Sequence, residues 1–209
     1  MDASNKEDLL PALEELGYEP DSAEGWYNLG LKLFRENQLT HAEIAYRAAI
    51  EIDNTNPDYW QELGASLLYM NRNEEAEEAF RAGLEQDATH ADLWYNLGCL
   101  LNLLDRNEDA INAFRKALEN NPEEADAWCN LGIALSTEGN LEEAEESLKR
   151  AIEIGANHMV AWINLIQLYY RTGRERQAEE AYDKALEVVP EIVRLMGELE
   201  EFLENEEEE

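Results

Sequence analysis

The chain has 209 residues, 44% of them apolar, and a formal net charge of -32 at pH 7. The apolar share is enough to bury a continuous layer and excludes a disordered chain, while so negative a field repels phosphate backbones and anionic lipid surfaces. Nucleic-acid and membrane-surface roles are therefore set aside.

The 16 Lys and Arg against 48 Asp and Glu fit a halophilic protein of a salt-rich cytoplasm, where screening relieves self-repulsion. They fit equally an acidic surface that merely avoids nonspecific contacts. Cys99 and Cys129 are too few for a disulfide framework and point to a reducing compartment. The N-terminus has no basic region followed by an apolar run, and no apolar stretch approaches bilayer length. A soluble, cytoplasmic protein is the expectation.

Residues 1–22 are expected to form an N-terminal cap helix or half repeat. Ser4-Asn5-Lys6-Glu7 has the form of a capping box, and Leu9, Leu13 and Leu16 make a short apolar stripe behind it. The alternative for this segment is a docking peptide that occupies a groove, its own or a partner's.

From residue 23 onward a 34-residue period takes over. The only tryptophans, Trp26, Trp60, Trp94, Trp128 and Trp162, recur at that spacing and define units 23–56, 57–90, 91–124, 125–158 and 159–192. With tryptophan at position 4, position 7 is leucine throughout (Leu29, Leu63, Leu97, Leu131, Leu165). Position 8 is Gly30, Gly64, Gly98, Gly132 and then Ile166, and position 11 is Leu33, Leu67, Leu101, Leu135 and Tyr169. This i, i+3, i+4, i+7 pattern is one face of an α-helix.

A second helix follows in each unit. Ala42, Ala76, Ala110, Ala144 and Ala178 hold position 20, Tyr46, Phe80, Phe114, Leu148 and Tyr182 hold position 24, and Ala49, Gly83, Ala117, Ala151 and Ala185 hold position 27. Turn residues such as Glu138-Gly139-Asn140 and Thr172-Gly173-Arg174 separate the two helices, and Pro122 and Pro190 at position 32 stop the second. The small residues at positions 8 and 20 are expected to let helix backbones approach closely. Glycine costs about 1 kcal/mol of helix propensity against alanine, so packing must offset it.

After the fifth unit, Leu195, Met196, Leu199, Phe202 and Leu203 alternate helically with acids, which suggests a C-terminal cap helix over 193–205. The run Glu206–Glu209 places negative charge at a helix C-terminus, which the helix dipole disfavours, and reads as a disordered acidic tail.

On these residues the repeat resembles the tetratricopeptide repeat family over residues 23–192, with departures at Gly83, at Asn54, Ala88 and Ala156 where proline is common, and at Ile166. The resemblance implies an all-α fold, a right-handed α-α superhelix (solenoid) of five tandem repeats with terminal cap helices. It also implies a protein-binding role in which positions 2, 5, 9, 12 and 13 of the first helices face a concave groove.

Carried onto this chain, those positions are Glu24, Tyr27, Leu31, Phe34 and Arg35, then Asp58, Gln61, Ala65, Leu68 and Tyr69. They continue with Asp92, Tyr95, Cys99, Asn102 and Leu103, then Asp126, Cys129, Ile133, Ser136 and Thr137, and end with Val160, Ile163, Gln167, Tyr170 and Arg171. Beside them at position 6 runs an asparagine ladder, Asn28, Asn96, Asn130 and Asn164, interrupted by Glu62. Amides at one-repeat spacing offer a donor and an acceptor each to the backbone of an extended peptide. Apolar and aromatic side chains that packing does not require add a binding surface. The acids at position 2 favour a partner segment that carries Lys or Arg beside apolar residues. Places where chaperone-tail-binding repeats carry cations hold Tyr27, Leu31, Glu62, Asp92 and Asn96 here, so a carboxylate ligand is disfavoured.

No catalytic constellation, phosphate loop or zinc-site spacing is present in the sequence, and no cofactor or metal is expected. The glutamates of the second helices answer cations four residues on (Glu43 with Arg47, Glu77 with Arg81, Glu145 with Lys149, Glu146 with Arg150, Glu180 with Lys184) and read as a solvated face. His90 and His158 fall in inter-repeat turns and His41 elsewhere, which reads as surface histidine. The expectation is a noncatalytic interaction scaffold; self-association through the terminal helices is the second reading.

Overall fold

The computed structural model describes residues 5–192. Ser4, the cap helix expected over 193–205 and the tail at 206–209 lie outside the described residues. All regular elements among the described residues are helical, and the chain divides into two compact units at Leu104 and Asp105.

The first unit begins with a short 3-10 turn, Lys6–Leu9, and α1 (Leu10–Glu15). It continues with α2 (Ala23–Arg35), α3 (Leu39–Ile52), α4 (Pro57–Tyr69), α5 (Asn73–Gln86) and α6 (Ala91–Leu103). The second holds α7 (Asn107–Asn120), α8 (Ala125–Thr137), α9 (Leu141–Ile154), α10 (Met159–Arg171) and α11 (Glu175–Val188). Even-numbered helices from α2 onward occupy positions 1–13 of the period and odd-numbered ones from α3 positions 17–30. Within each unit consecutive helices pack as antiparallel neighbours, and successive first helices also touch: α2 with α4, α4 with α6, α8 with α10.

The turn inside each repeat uses one left-handed residue, always at position 15: Asn37 (φ 59°), Asn71 (57°), Asp105 (57°), Gly139 (80°) and Gly173 (70°). The residue after it donates its N–H back to the helix, as Gln38 does to Leu33, Arg72 to Leu67, Asn140 to Leu135 and Arg174 to Tyr169. That six-residue closure is the Schellman arrangement, which satisfies carbonyls a helix end would otherwise leave open. Glycine adopts the conformation freely, and asparagine and aspartate tolerate it because their short polar side chains bond locally.

The tryptophans have a second task. Each indole Nε1–H donates to the carbonyl six residues earlier, at position 32 of the preceding turn: Trp26 to Pro20 (2.9 Å), Trp60 to Asn54 (3.0 Å), Trp94 to Ala88 (2.8 Å), Trp128 to Pro122 (2.9 Å) and Trp162 to Ala156 (2.9 Å). Trp26 and Trp162 are buried, whereas Trp60, Trp94 and Trp128 are half-buried, so the ring covers the turn as well as filling the stack.

The position-8 glycines chiefly clear a side chain, and at Gly132 the added carbon would also lie 3.1 Å from the Ala144 carbonyl, the backbone approach the sequence suggests. A Cβ on Gly30 would lie 2.4 Å from Tyr46 Cε1, one on Gly64 2.4 Å from Phe80 Cε1, and one on Gly132 2.7 Å from Leu148 Cγ. Tyr46, Phe80 and Leu148 are fully buried. In the fifth repeat Ile166 is itself fully buried and Tyr182 at position 24 is only half-buried, so a side chain from α10 takes space that the ring occupies elsewhere.

At the N-terminus the first helical turn starts at Lys6, with Asn5 in the cap position and no side-chain cap bond. The Ser4–Glu7 box is therefore out of register with the observed start. Leu9 and Leu13 are buried and Leu16 is exposed. Lys6 ties this segment down through Glu51 at 3.1 Å and lies 5.4 Å from the Trp26 ring centre.

The ion pairs correct the picture of a merely solvated face. Glu43–Arg47, Glu77–Arg81 and Glu145–Lys149 form as expected. Arg150 turns instead to Glu123 and Glu153, and Glu180 pairs with Arg176. Glu43 and Glu145 are nearly buried, and each is held by an arginine from the next repeat, Arg72 and Arg174. Arg72 also grips Glu75, and Arg174 lies 4.5 Å from the Tyr169 ring centre. The Arg174 guanidinium, offset in part by burial and aided by Lys149 and Tyr169, holds the Glu145 carboxyl down at about 2. These arginines staple one repeat to the next.

Candidate peptide-binding face

The expected groove residues come from the even-numbered helices, and the two units are taken separately. In the first, α2 presents Glu24, Tyr27, Leu31, Phe34 and Arg35, all half-buried or exposed. From α4 come the exposed Asp58 and Tyr69 with half-buried Gln61, Glu62, Ala65 and Leu68; α6 gives exposed Asp92 and Leu103 with half-buried Tyr95, Asn96, Cys99 and Asn102.

Two aromatic groups form here. Tyr27 lies 5.0 Å from Tyr59 and 6.1 Å from Tyr46, centre to centre, and Phe34 meets Tyr69 edge-on at 5.2 Å. Tyr69 is 70% and Leu103 67% exposed, which leaves large apolar surface facing water at the C-terminal ends of α4 and α6. Isolated apolar side chains at a surface need no explanation, but an aromatic pair beside them is a surface a partner can cover.

In the second unit α8 offers exposed Asp126 and Thr137 with half-buried Asn130, Ile133 and Ser136. Cys129, expected to line the groove, is buried, and burial with help from Asp126 pushes its thiol up to about 12. It packs as a small apolar residue. From α10 come exposed Val160, Tyr170 and Arg171 with half-buried Ile163, Asn164 and Gln167; Arg171 reaches Ser136 at 3.2 Å.

The asparagine ladder is partly engaged within the chain. Asn28 Nδ2 donates to the Tyr18 hydroxyl at 3.0 Å, and Asn164 Nδ2 donates to the Val160 carbonyl at 2.8 Å. Each of those two amides keeps its oxygen and its second N–H for a ligand.

The acids at position 2 also have partners that sequence reading did not find. His90 and His158 sit at position 34, the cap position of α6 and α10, where Nδ1 accepts from the backbone N–H of Leu93 (3.3 Å) and Ala161 (3.2 Å). Their Nε2 atoms lie 3.0 Å from Asp58 and Asp126 of the preceding repeat. A neutral ring with its proton on Nε2 satisfies both contacts at once. The available signal was that position 34 carries Ser22 and Asn56 in the first repeats, both helix caps in the structure. His41, by contrast, lies 3.0 Å from Gln38.

Electrostatics single out the start of the first unit. Burial, reinforced by Asp58, raises the Glu62 carboxyl above the usual range against the opposing pull of Gln61 and Arg35. Burial also raises Tyr27 and Tyr46, with Glu62 the next cause for each. Among the described residues no group of three or more His, Cys, Asp and Glu is placed to hold a metal. No described helix is long and apolar enough to cross a membrane.

Comparison with known proteins completes the description. Tetratricopeptide repeat families match residues 23–56, 62–111, 104–158 and 135–199. The chain belongs to the tetratricopeptide repeat family, and its fold is the all-α repeat architecture of that family. Among solved structures it is similar to MamA, at 25% identity and TM-score 0.72 over 79% of this chain and 90% of that one. It is similar also to YrrB, a repeat protein described as having an unusual peptide-binding site, at 26% identity and TM-score 0.70 over 88% and 94%. PilF of Pseudomonas aeruginosa, at 22% identity and TM-score 0.72 over 79% and 75%, shares the fold. The curated proteins contain no match.

Proposed function

We propose that this protein is a noncatalytic interaction scaffold whose even-numbered helices hold an extended segment of another protein, rich in Lys or Arg beside apolar residues. The observation that carries the reading is the joint presence, on the first helices, of aromatics left partly open to water (Tyr27, Phe34, Tyr69) and of exposed acids (Glu24, Asp58, Asp92). Tetratricopeptide repeats bind proteins and peptides, and the likeness to YrrB supports the same use here. The net charge of -32 adds long-range attraction for a basic partner and works against an acidic one. The reducing compartment suggested by two free cysteines is the cytoplasm.

Selection from a random peptide library against the full chain tests this. Enrichment of sequences that combine Lys or Arg with aromatic or aliphatic residues is expected, with affinity that weakens as salt is added. Enrichment of acidic sequences alone would overturn it. Light scattering on the same sample reads the rival assembly: a strict monomer excludes self-association.

A further inference from the structure

Position 2 of the first helices carries Glu24, Asp58, Asp92 and Asp126, and then Val160. The four acids are all exposed, yet they do not stand alike. Asp58 Oδ1 lies 3.0 Å from His90 Nε2, and Asp126 Oδ1 lies 3.0 Å from His158 Nε2. Each ring joins two repeats: its Nδ1 caps the following first helix and its Nε2–H goes to the acid of the preceding one. Glu24 and Asp92 make no hydrogen bond and no ion pair among the described residues. The residue 32 positions further on accounts for the difference. Asn56 follows Glu24 and uses its side chain to cap α4, and Glu124 follows Asp92 with no side-chain N–H to give. In the second unit Asp126 is clasped and Val160 is uncharged, so both open acids of the row lie in the first unit.

A free carboxylate meets a guanidinium fork with both oxygens. One that already accepts an imidazole N–H is held in place by the ring and has one oxygen left to offer. We propose that His90 withdraws Asp58 from cation recognition, so that Glu24 and Asp92 are the two acids of this row that each take one Lys or Arg side chain of the bound segment. This deepens the peptide-binding reading and rests on it. The clasp also sets a spacing. α2 touches α4 and α4 touches α6; packed helices lie about 8–10 Å apart, which puts Glu24 and Asp92 about 16–20 Å from one another. An extended chain advances about 3.3–3.6 Å per residue, so the two basic residues of the ligand stand about five or six positions apart. The ligand residue between them faces the His90–Asp58 pair and needs no charge.

A positional-scanning array built on the tightest peptide of the library selection tests this on the full chain. It is run with the wild type, His90→Ser, Asp92→Asn and the remote control Glu74→Gln, an exposed acid of α5. Ser22 holds the place of His90 before α2 and caps it by accepting from the Gly25 N–H at 3.0 Å. Serine therefore keeps the cap of α6 and is too short to reach Asp58, and circular dichroism on each variant checks the fold.

The wild type and Glu74→Gln should demand Lys or Arg at two ligand positions about five or six apart. Asp92→Asn should lose one of the two demands, with a weakening of about fivefold, the upper end for an exposed ion pair. His90→Ser should keep both and gain a third between them. A third demand already present in the wild type, none gained in His90→Ser, or two that survive Asp92→Asn would each overturn the register while leaving peptide binding intact. A library and array with no binder at all overturn the peptide reading, and the register with it.

Discussion

Gly30→Ala is a sharp test of how the repeats are packed. On helix propensity alone the change is favourable by about 1 kcal/mol. The structure opposes it. The added Cβ would lie 2.4, 2.6 and 2.9 Å from Cε1, Cδ1 and Cζ of Tyr46, distances real Cβ atoms do not sustain. Tyr46 is fully buried. Overpacking of this kind costs roughly 1–3 kcal/mol, and with three ring atoms involved the upper end applies, so the net loss is about 1–2 kcal/mol. Urea unfolding followed by circular dichroism and tryptophan fluorescence measures it. Gly132→Ala should cost less, because its nearest neighbours, Leu148 Cγ at 2.7 Å and Cδ2 at 3.0 Å, belong to an aliphatic chain that can turn, and the Ala144 carbonyl is farther at 3.1 Å. Adding Tyr46→Leu to Gly30→Ala should recover part of the loss, since leucine, which the fourth repeat carries at this position, is smaller than the ring and can turn from the added carbon. A Gly30→Ala protein as stable as the wild type, or more stable, would refute the reasoning.

Further outcomes follow from other contacts. Gly173→Val should destabilise by about 1–2 kcal/mol although nothing lies within 4 Å of the added carbon, because φ there is +70°; Asn71→Gly, at the equivalent place, should stabilise slightly in the same urea assay. His158→Ala should lose about 1 kcal/mol as the cap of α10, and His158→Asn should restore most of it. Arg174→Gln should be less stable than the wild type at pH 7. Glu145 has its folded value lowered from 4.5 to about 2, so its stabilisation is present above the unfolded value and lost as pH falls toward the folded one. The two proteins should therefore converge between about pH 5 and pH 2, and a gap that persists at pH 2 contradicts the staple. The thermal midpoint of the wild type should rise with added salt as self-repulsion is screened, and a flat response would remove salt adaptation.

The helices were legible because their faces recur with the helical period. Trp26, Leu29, Gly30 and Leu33 lie on one buried side of α2, and their counterparts repeat it in the later first helices. What could not be read depends on neighbours one repeat away. Nothing near Glu145 in sequence says that Arg174 closes over it, and nothing near His90 says that Asp58 meets its far nitrogen. Gly139 and Gly173 announced their turns, whereas Asn37, Asn71 and Asp105 fill the same left-handed place with residues that usually lie elsewhere. For the candidate site, register alone named the first-helix residues but not their depth. Cys129 has the register of Tyr27 yet is buried, and Asn28 gives one N–H to Tyr18 in the N-terminal segment.

The central claim is that the first helices of the repeats hold a basic and apolar peptide. Hydrogen–deuterium exchange of the full chain, with and without the tightest peptide from the library selection, tests it most directly. The account predicts slowed exchange in α2, α4 and the other even-numbered helices. Protection confined to the odd-numbered second helices, with the even-numbered ones unchanged, would contradict it.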